Sequence, residues 1–193
     1  MEEMEYRFFS SVELETRSPT SSQFIGQISG YAIKFDTPST AIPRFVESVS
    51  SKALDNVDLS DVLALYNHDY ANILGRVKSG TLSLKIDNIG LFFTLDMPDT
   101  SISHDVYNNV KAGNLRGMSF GFVIAKNGDS WSQISGTPVR TIEKLESLSE
   151  ISVVSRPAYE DTSVQVTRSL DAFLMERAQK YKDKVKAYLE EDQ

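Results

Sequence analysis

The 193-residue chain contains no cysteine, which removes disulfides, thiolate metal sites and cysteine nucleophiles together. Histidine is almost as scarce. Only His68 and His104 occur, so few groups can exchange protons near neutral pH. No HxxxH or HExxH spacing exists, and His68 and Asp69, being adjacent, point apart. A zinc site would be short of ligands, so neither metal nor cofactor is expected. Basic clusters are missing outside the C-terminal tail, where acidic residues interleave them. Lys and Arg number 20 against 27 Asp and Glu, a formal net charge of −7. Such a surface repels a phosphate backbone, and nucleic acid is not expected as a partner. Long apolar runs are absent too. The longest, Ile89 to Leu95, is broken by Gly90 and Thr94 and is far too short for a bilayer. The acidic start, Met-Glu-Glu-Met-Glu, does not read as a signal peptide. The expectation is a soluble protein with no membrane attachment.

What is present suits a globular domain: 40% hydrophobic and 24% charged residues. Residues 1–23 are polar and Ser/Thr-rich, and read as a flexible lead-in with room for one short strand near Tyr6–Phe9. FIGQISGYAIKF (Phe24–Phe35) alternates like a bent strand. Phe45 to Leu54 is ambiguous and leans helical. VLALYNHD reads as a strand ending in a polar tip, and GRVKSGTLSLKIDNIGLFFTLDM as a three-segment meander. Ser103 to Ala112 predicts a helix capped by Ser103, with Val106 and Val110 on one face and Gly113 past its end. LRGMSFGFVIA predicts a strand, and Asn127 to Gly136 a loop carrying the single Trp. VRTIEKLESLSEISVVS predicts one or two strands, ended by Pro157, and SVQVTR a last short one. From Ser169 to Gln193 the pattern becomes an amphipathic helix, with Leu170, Phe173, Leu174, Tyr181, Val185, Tyr188 and Leu189 mostly on one face. The domain plan is thus 1–23 lead-in, 24–168 main domain, 169–193 helix.

His68 follows an apolar run, so a strand would carry its imidazole to a rim where it meets solvent and substrate, although a lone histidine there also suits a plain surface role. Ser119 lies in Gly117-Met118-Ser119-Phe120-Gly121-Phe122. On a strand both glycines share its face, while Met118, Phe120 and Phe122 point into a core. Bare neighbours either clear a groove for a peptide backbone or merely relieve crowding in a curved sheet. The segment also matches G-x-S-x-G, but a nucleophile elbow needs a following helix and a downstream histidine, and neither occurs here. A histidine base needs a third group to hold its tautomer. Asp69, Glu143, Glu146, Glu150 and His104 are the candidates. Glu150 is favoured because it heads the apolar run ISVV, whereas Glu143 and Glu146 read as exposed charges.

Several segments resemble the prohead maturation proteases of tailed phages, relatives of the herpesvirus capsid protease. They are GYAIKFDT, RFVESVSSKAL, LALYNHDYANILGRVKSGTLSLKIDNIGL, GNLRGMSFGF and LSEISVVSRPAYEDTSV, in family order over residues 24 to 168. The resemblance implies an α+β fold, a compact β-barrel ringed by helices, and a serine endopeptidase. It places the family's histidine on His68 and its nucleophile on Ser119. The third member, histidine in the herpesvirus branch, falls on Glu150, a departure from that pattern. Arg156 occupies the place of an arginine-bearing turn that helps form the oxyanion site. The implied substrates are scaffold segments, the N-terminal extension of the major capsid protein and the protease itself. The implied location is the procapsid interior, within the host cytoplasm. The viral relatives need dimerisation, so a second copy of the chain is a candidate partner. A rival expectation is a non-catalytic assembly or scaffold module that docks through its C-terminal helix.

Overall fold

The computed structural model describes residues 4–9, 14–19, 21–39, 44–155 and 164–191. Among them the chain forms twelve strands and two helices, a mixed α+β arrangement. A five-stranded sheet has the order β1 (Glu5–Phe9), β9 (Gly117–Ile124), β12 (Leu145–Val154), β5 (Leu63–Tyr66) and β6 (Asp69–Arg76). A four-stranded sheet runs β2 (Glu15–Arg17), β3 (Phe24–Lys34), β8 (Gly90–Pro98) and β7 (Leu82–Ile86). A three-stranded sheet runs β10 (Asp129–Ile134), β11 (Thr137–Ile142) and β4 (Val46–Val49). No sheet closes on itself among the described residues, so the expected barrel is observed as three open sheets around one core.

The period-two pattern explains that core. Leu91, Phe93, Leu95 and Met97 of β8 are fully buried, and Met118, Phe120 and Phe122 of β9 meet them from the other sheet. Helix α1 (Ser101–Lys111) closes one side with Val106 and Val110. Its cap is Thr100 rather than Ser103: the Thr100 hydroxyl accepts the Ser103 N–H. Gly113 sits beyond its end at φ 74°, as expected of a left-handed C-terminal glycine.

Four segments differ from the sequence reading. The lead-in supplies β1, where one short strand was expected, tied down by distant ionic partners of Glu5 and Arg7, and also an unexpected β2 paired with β3. Phe45–Leu54 contains β4 followed by turns, since Glu47 and Val49 face inward at strand spacing. The loop expected at 127–136 contains β10. It is a half-exposed strand joined to β11 by a two-residue turn, Ser135-Gly136, with both φ positive. Apart from Ser163, which lies outside the described residues, the strand expected in SVQVTR is instead the start of helix α2 (Val164–Glu191), whose length offsets the cost of nucleating its first turn.

Glu47 can face inward because a buried charge cluster receives it. The Arg140 guanidinium reaches Glu5 and Glu47 at 2.9 Å and Asp129 at 2.7 Å. Arg7 pairs with both Glu5 and Glu47. Burial opposes the Arg140 charge, but hydrogen bonds and attraction from Glu5 and Glu47 outweigh it and raise its pKa above the usual arginine range. Burial likewise opposes the Glu5 charge, yet Arg140 and Arg7 hold its carboxyl below the usual carboxylate range. These bonds tie β1 to the three-stranded sheet. Arg140→Ala removes one of the two cations shared by a pair of buried carboxylates, leaving Arg7 to face both, and is expected to cost about 3–5 kcal/mol in urea unfolding. A loss below about 1 kcal/mol, the level of an exposed pair, would refute this account of how β1 is held.

Candidate active site

The site is built where three neighbouring strands of the five-stranded sheet bring their polar residues to one face. Glu150 and Ser152 of β12 lie opposite Gly121 and Ser119 of β9. Because direct partners and residues two apart share a face, all four positions point the same way. Across β9, Tyr6 of β1 lies opposite Gly121. The parallel neighbour β5 ends at Tyr66, and Asn67-His68 turn the chain into β6.

This turn places the imidazole. Tyr66 pairs with Asp69, and both intervening residues have positive φ, 52° at Asn67 and 61° at His68. A two-residue hairpin that matches sheet twist needs such angles, which asparagine and histidine tolerate better than most residues. The turn is pinned to β12. The Asn67 N–H donates to the Val153 carbonyl at 3.0 Å, and the Ser155 N–H donates to Asn67 Oδ1 at 3.0 Å. The His68 N–H donates to Ser152 Oγ at 3.2 Å.

His68 Nδ1 lies 2.8 Å from Glu150 Oε1, and Glu150 is fully buried. A carboxylate at Nδ1 selects the neutral tautomer with its proton there, leaving the lone pair on Nε2. Ser152 donates its hydroxyl proton to the other carboxylate oxygen, Oε2. The Tyr6 ring packs edge-on against the imidazole, with centroids 4.5 Å apart. Burial raises the Tyr6 phenol above its ordinary range, and the Glu150 charge adds to this. Tyr70 shifts the same way, from burial first and then from Tyr6 and Glu150.

Two of the three buried polar side-chain atoms without hydrogen bonds among the described residues are His68 Nε2 and Ser119 Oγ. No hydrogen bond therefore joins the expected nucleophile to the expected base. Both atoms nevertheless belong to this one face, and catalytic contacts often tighten only when substrate arrives. Among the sequence candidates, His68 and Glu150 are brought together and Ser119 stands on the next strand. His104 lies elsewhere, on α1, half-exposed and 2.9 Å from Asp99. Glu143 bonds Ser130 and faces solvent, and Asp69 caps the Ala71 N–H at 2.8 Å. Arg156 lies outside the described residues.

Gly121 has a different use from the peptide groove considered above. A Cβ built there would stand 2.6 Å from Glu150 Oε1 and 3.0 Å from Tyr6. The missing side chain makes room for the carboxylate. Gly121→Ala should keep the fold but push Glu150 away from His68, cutting turnover by about 100-fold. Activity measurements beside a thermal melt check this, and activity near wild type would refute the packing argument. Tyr6, Ser152 and this use of Gly121 escaped the sequence reading. Tyr6 lies in the short strand expected near Tyr6–Phe9, but nothing in the local sequence marks it as a neighbour of the imidazole.

The chain matches the family described as caudovirus prohead serine protease over residues 12–176, a span holding His68, Ser119 and Glu150. No curated relative matches it. Among solved structures, the bacteriophage T4 capsid assembly protease gp21 is similar, with a TM-score of 0.52 at 11% identity. The match covers 80% of this chain and 98% of that one. The likeness at that identity is one of fold. With the family match spanning most of its length, the chain belongs to the caudovirus prohead serine proteases.

Proposed function

We propose that the chain is the serine endopeptidase of prohead maturation, with Ser119 as nucleophile, His68 as base and Glu150 as orienting carboxylate. The observation that carries this is the 2.8 Å His68–Glu150 contact, which leaves Nε2 without a partner on the face that holds an unpartnered serine hydroxyl. Ser119 Oγ attacks the scissile carbonyl and passes its proton to Nε2. Glu150 stabilises the imidazolium, which then protonates the leaving amine. Water repeats the sequence on the acyl-enzyme. Backbone N–H groups near Arg156 are the proposed oxyanion donors, by resemblance to the viral relatives. Ser119 is only 1% exposed, so substrate entry must open the space above it.

The proposed substrates are scaffold segments, the N-terminal extension of the major capsid protein and the protease itself, cut inside the procapsid in the host cytoplasm. No helix of the described residues is long and apolar enough to cross a membrane. A fluorophosphonate probe tests the reading directly. Peptide mapping should find the phosphonyl adduct on Ser119, and its loss in His68→Ala. An unlabelled Ser119 in protein that cleaves its substrate would remove it as the nucleophile.

A further inference from the structure

We propose that Ser152 is a positioning residue that sets both Glu150 and His68 through a single hydroxyl. The inference rests on the nucleophile, base and carboxylate assigned above. Ser152 is fully buried and lies two residues after Glu150, on the same face of β12. Its proton goes to Glu150 Oε2, and its oxygen accepts the His68 N–H at 3.2 Å. One atom therefore holds the carboxylate and the backbone of the residue that the carboxylate must meet.

The chemistry makes this more than a satisfied buried serine. Glu150 has two oxygens, and a carboxylate fixed at Oε1 alone can swing about its last bond. Bonding Oε2 to Ser152 removes that freedom and leaves Oε1 aimed at Nδ1. The His68 backbone is held in a left-handed conformation at φ 61°, uncommon for a residue with a side chain. The bond from its N–H to Ser152 ties that turn to β12. Ser152 also lies directly opposite Ser119 in the β9–β12 register. A hydroxyl has one proton, and that of Ser152 is committed to the carboxylate. Ser152 is thus kept from competing with Ser119 for the base.

Three substitutions and two readouts test this. Ser152→Ala should lower kcat by about 10- to 100-fold with KM little changed. Ser152→Cys, similar in size but a weak donor, should follow Ala, and Ser152→Thr, which keeps the hydroxyl, should recover most of the rate. The second readout does not depend on cleavage. The chain has only two histidines, so imidazole nitrogen spectra of the Ser119→Ala protein contain two sets of signals, with half-exposed His104 as internal reference. His68 should show one tautomer with a slowly exchanging, low-field Nδ1 proton. Adding Ser152→Ala should mix the tautomers and erase that proton signal while His104 stays unchanged. An unchanged His68 spectrum, or full activity in the Cys variant, overturns the proposal. If the wild type cleaves nothing, the protease reading fails instead, and the imidazole spectrum still decides the role of Ser152.

Discussion

Ser119→Ala is expected to fold as well as the wild type and to lose about 10⁶-fold in turnover, the scale seen when a nucleophilic serine is removed. The stability half of this follows from the site itself. Ser119 Oγ is buried and makes no hydrogen bond, so alanine deletes an unpaired polar atom and leaves no partner orphaned. The melting temperature should therefore hold or rise while activity vanishes, the trade expected where a residue is kept for function. Intact-mass spectrometry of capsid protein co-expressed with each variant reads the activity, and a thermal melt reads the stability. Normal processing by Ser119→Ala would take Ser119 out of the mechanism. Normal assembly with a His68→Ala, Ser119→Ala double variant would favour the scaffold-module alternative.

Local periodicity made part of this fold legible. In β9, Met118, Phe120 and Phe122 alternate with small residues, and the strand lies where that pattern predicts. The Val106/Val110 face of α1 and the pairing of β7 with β8 are equally local signals, whereas the first segment of the expected three-part meander, from Gly75, instead ends β6 in the five-stranded sheet. The failures share a cause, which is that the deciding partner lies far away in the chain. The segment from Phe45 to Leu54 leans helical when read alone because the partner that draws Glu47 inward, Arg140, is 93 residues away. Glu5 looked like part of a polar tail because its bond to Arg140 spans 135 residues. The start of α2 was taken for a strand because Val164 and Val166 alternate with polar residues. Farther along, Leu170 and Phe173 join Phe45 and Trp131 in a small cluster, so the helix packs on the body, while Met175, Tyr181 and Tyr188 stay exposed.

The same division runs through the site. His68 stood out because histidine is scarce and ends an apolar run, and Ser119 because glycines flank it. Ser152 carried no such mark in a chain rich in serine. Its place depends on two pairings at once, antiparallel to β9 and parallel to β5, and a sequence read segment by segment cannot supply them. The Asn67-His68 turn was nearer to view. Two left-handed-tolerant residues between strand signals are a hairpin cue, and that cue also gives the direction of the imidazole.

Glu150→Gln should cost about 10⁴-fold in turnover while leaving the fold in place, by analogy with removing the charge of a triad carboxylate. The substitution nearly preserves shape, so the loss reports charge and tautomer. An amide that turns its NH₂ toward Nδ1 needs an acceptor there, which moves the imidazole proton to Nε2. Nε2 can then no longer take the Ser119 proton. Even with the amide oxygen facing Nδ1, the imidazolium formed during attack would lack its buried counter-charge. Glu150→Asp keeps the charge but shortens the reach of a contact that now spans 2.8 Å, and should fall between Gln and the wild type. In the herpesvirus branch the third member is histidine, so Glu150→His asks whether this pocket requires an anion. Gly121 leaves room sized for a carboxylate, and the Ser152 hydroxyl is placed to donate to one. The histidine variant should therefore be no more active than Gln. Turnover of Glu150→Gln within about threefold of the wild type would show that the carboxylate serves only packing, and would break the link between the buried acid of β12 and the reaction.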